Sequence, residues 1–99
     1  MRDNVAKADV VITNPTHYAV ALQYDRETMQ APMVTAKGVD SVAQRIKQIA
    51  RENDVEIVEN KPLARALYAE VEIGDIIPEK YYQALSIILM RVYKLKGKT

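Results

Sequence analysis

The chain has 99 residues, with 14 lysines and arginines, 13 aspartates and glutamates, one histidine and no cysteine, for a net charge of +1. This length suits a single domain, and 48% hydrophobic with 27% charged residues is a globular composition rather than a disordered one. The balanced charge argues against nucleic acid as the main partner. The missing cysteines exclude disulfides, thiolate nucleophiles and thiolate zinc sites, and one histidine allows no histidine-rich metal centre. We therefore expect no cofactor, no metal and no turnover of an external substrate.

The N-terminal part of the chain predicts three strands. Residues 4–9 fit a short helix or a linker. Residues 10–12 are a short β-branched run that favours a buried strand, and Asn14-Pro15 ends it. Residues 33–37 form the third strand. The second strand, residues 18–24, has one face of large residues (Tyr18, Val20, Leu22, Tyr24) and one of smaller residues (Ala19, Ala21, Gln23), so we expect cover on both faces.

From residue 39 the hydrophobic period changes to that of a helix. Asp40 or Ser41 can cap its N-terminus, and Ser41 with Gln44 fits a capping box. The apolar stripe comprises Val39, Val42, Ala43, Ile46, Ile49 and Ala50. The opposite face is most simply solvated and comprises Arg45, Lys47, Gln48, Arg51 and Glu52.

The C-terminal part predicts one strand and two more helices. Residues 55–58 form a fourth short strand. Asn60 caps a helix with Pro62 in its first turn that runs to about Glu70. Pro78 opens the last helix, which has a basic end at residues 94–98. The order β-β-β-α-β-α-α predicts an α/β fold: a small mixed four-stranded sheet packed by three to four helices.

The most unusual local feature is the tetrapeptide Asn14-Pro15-Thr16-His17 between two apolar strands. On composition alone it is a turn, because Asn and Pro are turn residues. A second interpretation is chemical. Pro15 has no N–H, so its nitrogen cannot attack the Asn14 side chain and cause deamidation. The remaining intramolecular reaction is attack of the Asn14 side-chain nitrogen on the carbonyl carbon of Asn14, which closes a succinimide and expels Pro15 as a new N-terminus.

A folded chain can accelerate this cyclisation by holding the nitrogen in near-attack geometry and by directing donors at the developing oxyanion. Asn14 is the indispensable residue and Pro15 the leaving group. Thr16 and His17 are candidates for orientation, proton transfer or oxyanion contact. His17 is the obvious proton carrier, because histidine changes charge near neutral pH.

Residues 10–22 (VVITNPTHYAVAL) resemble the self-cleavage region of the cytoplasmic domain of the FlhB/YscU family, the substrate-specificity switch of bacterial type III export. Residues 18–22 and 36–38 are more similar to the flagellar branch than to the virulence-injectisome branch. Ala6 and Glu56 stand where proline is common in the family. The resemblance continues through Ala31-Pro32, Ala36-Lys37-Gly38, Glu52-Asn53, residues 62–68 (PLARALY), Ile77-Pro78 and Tyr82.

The resemblance implies that residues 1–9 end a linker from a membrane portion that is absent here, and that residues 10–99 form a single self-cleaving domain. It implies cleavage between Asn14 and Pro15, with the two pieces remaining associated. It also implies a switch of export from rod-and-hook-type to filament-type substrates at the cytoplasmic face of the bacterial inner membrane. The implied partners are export substrates, a substrate-length ruler protein and other export-apparatus components. The full-length protein is expected to span the membrane, although this fragment contains no stretch of the roughly 18 apolar residues that a span requires.

A second candidate site is the apolar segment Met29-Gln30-Ala31-Pro32-Met33. Its methionines could simply fill the edge of the core. Alternatively, Ala31 and Pro32, together with Leu89 of the last helix, could form an apolar edge that receives export-substrate segments.

Two functional hypotheses remain at this point. The first is a self-cleaving export-switch domain that reacts once, on itself, and serves as a docking platform. The second is a non-cleaving α/β protein-binding adaptor in which Asn14-Pro15 is only a turn. Mass analysis of the denatured chain distinguishes them, because the first predicts two pieces and the second predicts one.

Overall fold

The computed structural model describes residues 1–97 and has the expected α/β architecture. A single 3₁₀ turn (Glu79–Tyr81) precedes the last helix. The predicted order is confirmed, and residues 4–9, which fitted a helix or a linker, contribute to a short first helix. The elements are α1 (Arg2–Ala6), β1 (Val10–Asn14), β2 (Tyr18–Gln23), β3 (Met33–Val39), α2 (Asp40–Glu52), β4 (Glu56–Glu59), α3 (Lys61–Glu70) and α4 (Tyr82–Leu95).

Strand β1 lies in the interior of the sheet, whose strand order is β3-β2-β1-β4. It pairs antiparallel with β2 and parallel with β4, so Val11 lies opposite Ala21 on one side and Ile57 on the other. All five of its residues are buried. A continuous β-branched run is typical of a strand that is covered on both faces. The predicted strand is therefore confirmed, and it extends two residues further, to Asn14.

The two faces of β2 separate two hydrophobic cores, as the alternation of large and small residues predicted. Val20 and Leu22 belong to the core under α3 and α4, and Tyr18 packs against that core. Ala19 and Ala21 belong to the core under α1 and α2. The small alanine side chains let α2 approach the sheet closely. The molecule therefore has three layers, with a pair of helices on each face of the sheet.

Helix α2 confirms most of its predicted stripe but not its predicted cap. Val42 is 43% exposed, so its place on the buried stripe is wrong. The capping box is also wrong, because no side chain caps α2 and the extended residue Val39 stands at the N-cap position. The chain enters α2 through a left-handed residue, Asp40, with φ of 50°. Gly38 permits this tight entry, since a Cβ atom there would collide with Val42 Cγ1.

Helix α3 begins as predicted, with the Asn60 side chain accepting the Leu63 N–H at 3.2 Å and proline in the first turn. Helix α4 begins later than predicted. Pro78 has a ψ of 152°, which is extended, and α4 starts at Tyr82. Among residues 1–97, no helix has the length and apolar character that crossing a bilayer requires. Part of the predicted basic end, Lys98, lies outside the described residues.

Candidate functional site

The four residues of the Asn14-Pro15-Thr16-His17 motif form a hairpin turn between β1 and β2. Asn14 is the last residue of β1 and pairs with Tyr18, the first residue of β2. The Asn14 carbonyl oxygen accepts the backbone N–H of His17 at 3.0 Å, which closes a four-residue β-turn. Pro15 takes the second position of that turn, where its fixed φ is favourable. The structure therefore brings all four predicted residues together around the peptide bond between Asn14 and Pro15.

Burial falls steeply across this turn. Asn14 is 8% exposed, Pro15 is half-buried, and Thr16 and His17 are exposed. Within residues 1–97 the Asn14 side chain makes no hydrogen bond, so no acceptor in that range holds its amide nitrogen. The peptide bond between Asn14 and Pro15 thus lies at the border of the core. Its carbonyl oxygen accepts a backbone N–H, and the Asn14 side-chain amide makes no hydrogen bond within residues 1–97.

Helix α2 contacts the turn through three donors. The Asp40 N–H donates to the His17 carbonyl oxygen at 2.9 Å. The Lys47 ammonium donates to the Pro15 carbonyl oxygen at 3.1 Å, and the Gln44 amide approaches the same oxygen at 3.4 Å. Assignment of Lys47 to a solvated face was therefore wrong. Asp40, Gln44 and Lys47 have the i, i+4, i+7 spacing that puts three polar residues on one face of a helix. The sequence does not tell which loop that face meets.

His17 and Thr16 are placed differently from each other. His17 Nδ1 lies 3.5 Å from Asp40 Oδ1, with 63% of the histidine side chain and 74% of the aspartate side chain exposed. Such a pair is an ion pair only when the imidazole is protonated. Thr16 makes no hydrogen bond within the described residues. The geometry thus gives His17 an acidic neighbour, whereas the role of Thr16 remains a prediction.

The second predicted site lies beside a groove of about 490 Å³ between the β2–β3 connection and α4. Ala31, Pro32 and Leu89, although largely buried, all line this groove, so the structure brings the three predicted residues together. The half-buried Met29 and Met33 do not line it. Burial raises the pKa of the Tyr93 phenol in the groove wall. The other lining residues are Tyr24, Arg26, Gln30, Tyr82, Ser86 and Met90.

Neither site resembles a metal centre. Among residues 1–97, no three or more His, Cys, Asp or Glu side chains are grouped so that they could hold a metal ion.

Comparison with known proteins identifies similar sequences and similar structures. FlhB, a flagellar biosynthetic protein, is 58% identical over 98 residues in Bacillus subtilis, which covers 99% of this chain and 27% of that protein. The Escherichia coli protein of the same name is 53% identical over 96 residues, covering 97% of this chain and 25% of that protein. This chain therefore spans about a quarter of the length of these curated relatives.

Solved structures match the fold as well. The cytoplasmic domain of FlhB from Shewanella putrefaciens superposes with a TM-score of 0.89 at 42% identity, covering 98% of this chain and 78% of that one. A mutated EscU C-terminal domain also gives a TM-score of 0.89, at 30% identity, covering 92% of this chain and 91% of that one. A family model described as the FlhB HrpN YscU SpaS Family matches residues 1–92. On this match, together with the close sequence relatives, the chain belongs to the FlhB/HrpN/YscU/SpaS family.

Proposed function

We propose that this chain is the cytoplasmic domain of a flagellar type III export protein and that it cleaves itself once, between Asn14 and Pro15. The observation that carries the proposal is the turn itself. A buried asparagine with no side-chain partner in residues 1–97 precedes a residue that lacks an N–H, and its own carbonyl oxygen accepts the His17 N–H at 3.0 Å. The near relatives that bear the name of flagellar biosynthetic proteins support the biological setting.

The reaction balances without a cofactor or an external nucleophile. Asn14 Nδ2 forms a bond to the Asn14 carbonyl carbon, and the bond from that carbon to the Pro15 nitrogen breaks. The amide loses a proton and the Pro15 nitrogen gains one, so the products are a C-terminal succinimide and a secondary amine. The His17 N–H is a donor for the oxyanion that develops on the Asn14 carbonyl oxygen, and such a donor is worth about 3 kcal/mol. His17 carries the proton in this proposal, and Thr16 helps to orient the turn.

The pieces stay associated after cleavage because residues 1–14 carry an interior strand. Strand β1 makes ladder hydrogen bonds to both β2 and β4. Val10, Val11 and Ile12 are fully buried, and burial of each such side chain is worth roughly 1.5–3 kcal/mol. Outside the strand, Val5 of α1 is buried and Thr35 Oγ1 donates to the Asn4 carbonyl oxygen at 2.8 Å. Breaking one peptide bond at the end of β1 removes none of these contacts.

Two surfaces of the domain support the proposed role in export. Cleavage frees the turn and creates a new N-terminus at Pro15, which changes the local shape and charge. The groove beside Ala31, Pro32 and Leu89 presents an apolar surface suited to segments of export substrates. We propose that the domain works at the cytoplasmic face of the bacterial inner membrane, joined in the full-length protein to a membrane-spanning part. There it takes part in switching export from rod-and-hook-type to filament-type substrates, with a substrate-length ruler protein and other apparatus components as partners.

Intact-mass analysis of the wild-type chain and of Asn14→Ala tests the proposal. In denaturant, the wild type should give two pieces, residues 1–14 and 15–99, and Asn14→Ala should give one piece of full length. In native size exclusion, both proteins should run as one species of the same size. A wild-type chain that remains intact in denaturant would establish the alternative, a non-cleaving adaptor. Normal cleavage of Asn14→Ala would exclude cyclisation.

A further inference from the structure

We propose that Lys47 is a positioning residue for the cleavage. Its ammonium holds the carbonyl oxygen of Pro15, the residue that leaves, and thereby keeps the bond between Asn14 and Pro15 in the conformation that is attacked. This inference rests on the proposed self-cleavage and adds to it a residue that lies 32 positions further along the chain.

The contact between Lys47 and Pro15 joins two elements that are far apart in sequence. Lys47 lies on α2, half-buried, and its Nζ donates to the Pro15 oxygen at 3.1 Å. Gln44, one turn earlier, approaches the same oxygen at 3.4 Å, and the Asp40 N–H holds the His17 oxygen at 2.9 Å. Successive turns of α2 thus hold two of the turn's carbonyl groups, while the carbonyl of Asn14 is bound within the turn itself.

Holding the Pro15 carbonyl restrains the one soft backbone dihedral that remains at the leaving residue. The pyrrolidine ring already fixes φ of Pro15, and the position of its carbonyl oxygen reports ψ. A hydrogen bond from a charged donor is shorter and stronger than one between neutral groups, so it is the natural anchor for this dihedral. With the Pro15 carbonyl anchored to α2 and Asn14 anchored in β1, the peptide plane between them has little freedom to turn relative to the Asn14 amide, and pre-organisation of that kind accelerates intramolecular reactions.

The charge of Lys47 also has the sign that the reaction needs. Bond geometry puts the ammonium within roughly 8 Å of the Asn14 carbonyl carbon, where the tetrahedral intermediate carries negative charge. A nearby fixed cation stabilises that intermediate more than the neutral ground state. Arg45 and Arg51, two other cations of α2, make no hydrogen bond to the turn in residues 1–97, and they provide matched controls.

The test measures the rate of cleavage in newly made protein. The chain is made by cell-free synthesis with labelled methionine, synthesis is stopped, and samples are taken over time. On a denaturing gel, cleavage then appears as conversion of the full-length band into the band of residues 15–99. Lys47→Met should cleave about tenfold more slowly than the wild type. Lys47→Arg, which retains a charged donor, should cleave within about threefold of the wild-type rate, and Arg45→Met should cleave as the wild type does. If Lys47→Met does not fold, Lys47→Gln takes its place and should also be slower than Lys47→Arg.

Urea unfolding of the same variants, each combined with Asn14→Ala so that the chain stays intact, measures their stability. It thereby separates an effect on the geometry of the turn from a general loss of stability. Rescue of the rate by Lys47→Arg, with equal unfolding midpoints for the Met and Arg variants, supports the proposal. Cleavage of Lys47→Met at the wild-type rate overturns it and leaves the self-cleavage proposal intact. Equal slowing by Met and Arg, in parallel with equal losses of stability, also overturns it. A wild type that does not cleave at all would instead remove the proposed function.

Discussion

The two connections at the ends of β2 differ in length, chemistry and burial. The connection before β2, residues 15–17, is short and polar, and donors of α2 hold the carbonyl oxygens of Pro15 and His17. The connection after β2, residues 24–32, is longer and ends in the buried pair Ala31-Pro32, which lines the groove against α4. The first connection is therefore fixed through its backbone atoms. The second contributes buried apolar side chains to the wall of a groove.

A strand of six residues separates the two connections, which corresponds to about 20 Å. They also face different helices, α2 at the turn and α4 at the groove. Among residues 1–97, no hydrogen bond joins the two connections, and we expect that substitutions in one leave the other unchanged.

The largest effect should come from the strand between the two cores. Ile12→Ala truncates a fully buried side chain in the interior of the sheet and should lower the free energy of unfolding by about 2–5 kcal/mol. Urea denaturation in the Asn14→Ala background measures this loss without cleavage. In the cleaved protein, the same substitution should release residues 1–14 at micromolar concentration on native size exclusion. Ile87→Ala, at a position that is 55% exposed on α4, is the control and should change stability by less than about 0.5 kcal/mol.

The next effect concerns the groove alone. Met90→Glu puts a charge on an apolar lining residue that is 61% exposed, and it should weaken binding of an apolar export-substrate peptide by about tenfold. Peptide titration measures the affinity, and the time course of cleavage should stay the same as in the wild type. Gln83→Glu introduces the same charge on α4 outside the groove lining and should alter neither property. Slower cleavage in Met90→Glu would show that the two connections are coupled.

A smaller effect is expected at the entry to α2. Asp40 and Asp54 both adopt left-handed backbone conformations, with φ of 50° and 56°, but only Asp40 lies beside His17. Replacing either with glycine should raise stability by at most about 1 kcal/mol. Only Asp40→Gly should slow cleavage, by at most about fivefold, since an exposed charge pair contributes little. Equal cleavage rates for the two variants would remove Asp40 from the mechanism.

The smallest effect is a dependence on pH at the start of α4. Hydrogen bonds from Lys80 and Tyr81 lower the pKa of the Glu70 carboxyl below its ordinary value of 4.5. The stabilisation is therefore present above that value and is lost as the pH falls through the lowered pKa. Glu70→Gln should remove this part of the acid dependence of unfolding. Glu70 and Lys80 are exposed and Tyr81 is half-buried, so the change should be slight, and cleavage at neutral pH should not alter.

The sequence predicted most of the fold because its strands and helices are local patterns. The β-branched run of β1, the two faces of β2 and the Asn60 cap each depend on residues close together in the chain. The entry to α2 was predicted wrongly for a tertiary reason. Ser41 and Gln44 match a capping box, but the Asp40 N–H donates to His17 of the turn, Asp40 is left-handed, and the Gln44 amide approaches Pro15 instead.

In the candidate site, too, the local features could be predicted from the sequence and the tertiary contacts could not. Asn14, Pro15, Thr16 and His17 are adjacent in sequence, so their chemistry could be inferred from the tetrapeptide. The contact between Lys47 and Pro15 could not, because the spacing of Asp40, Gln44 and Lys47 along α2 does not tell which loop they meet. This contact exists only because the sheet places α2 behind the turn.

The mass of the N-terminal piece, measured as soon as the chain is cut, distinguishes cyclisation by Asn14 from direct hydrolysis. Cyclisation leaves residues 1–14 with a C-terminal succinimide, which is lighter by one water than the same peptide with a free carboxyl group. Rapid quenching in acid during synthesis, followed by mass spectrometry, should detect the lighter species first and its conversion to the heavier species with time. A piece that carries the full mass of the acid from the earliest time point, with no lighter precursor, would show direct hydrolysis and contradict cyclisation by Asn14.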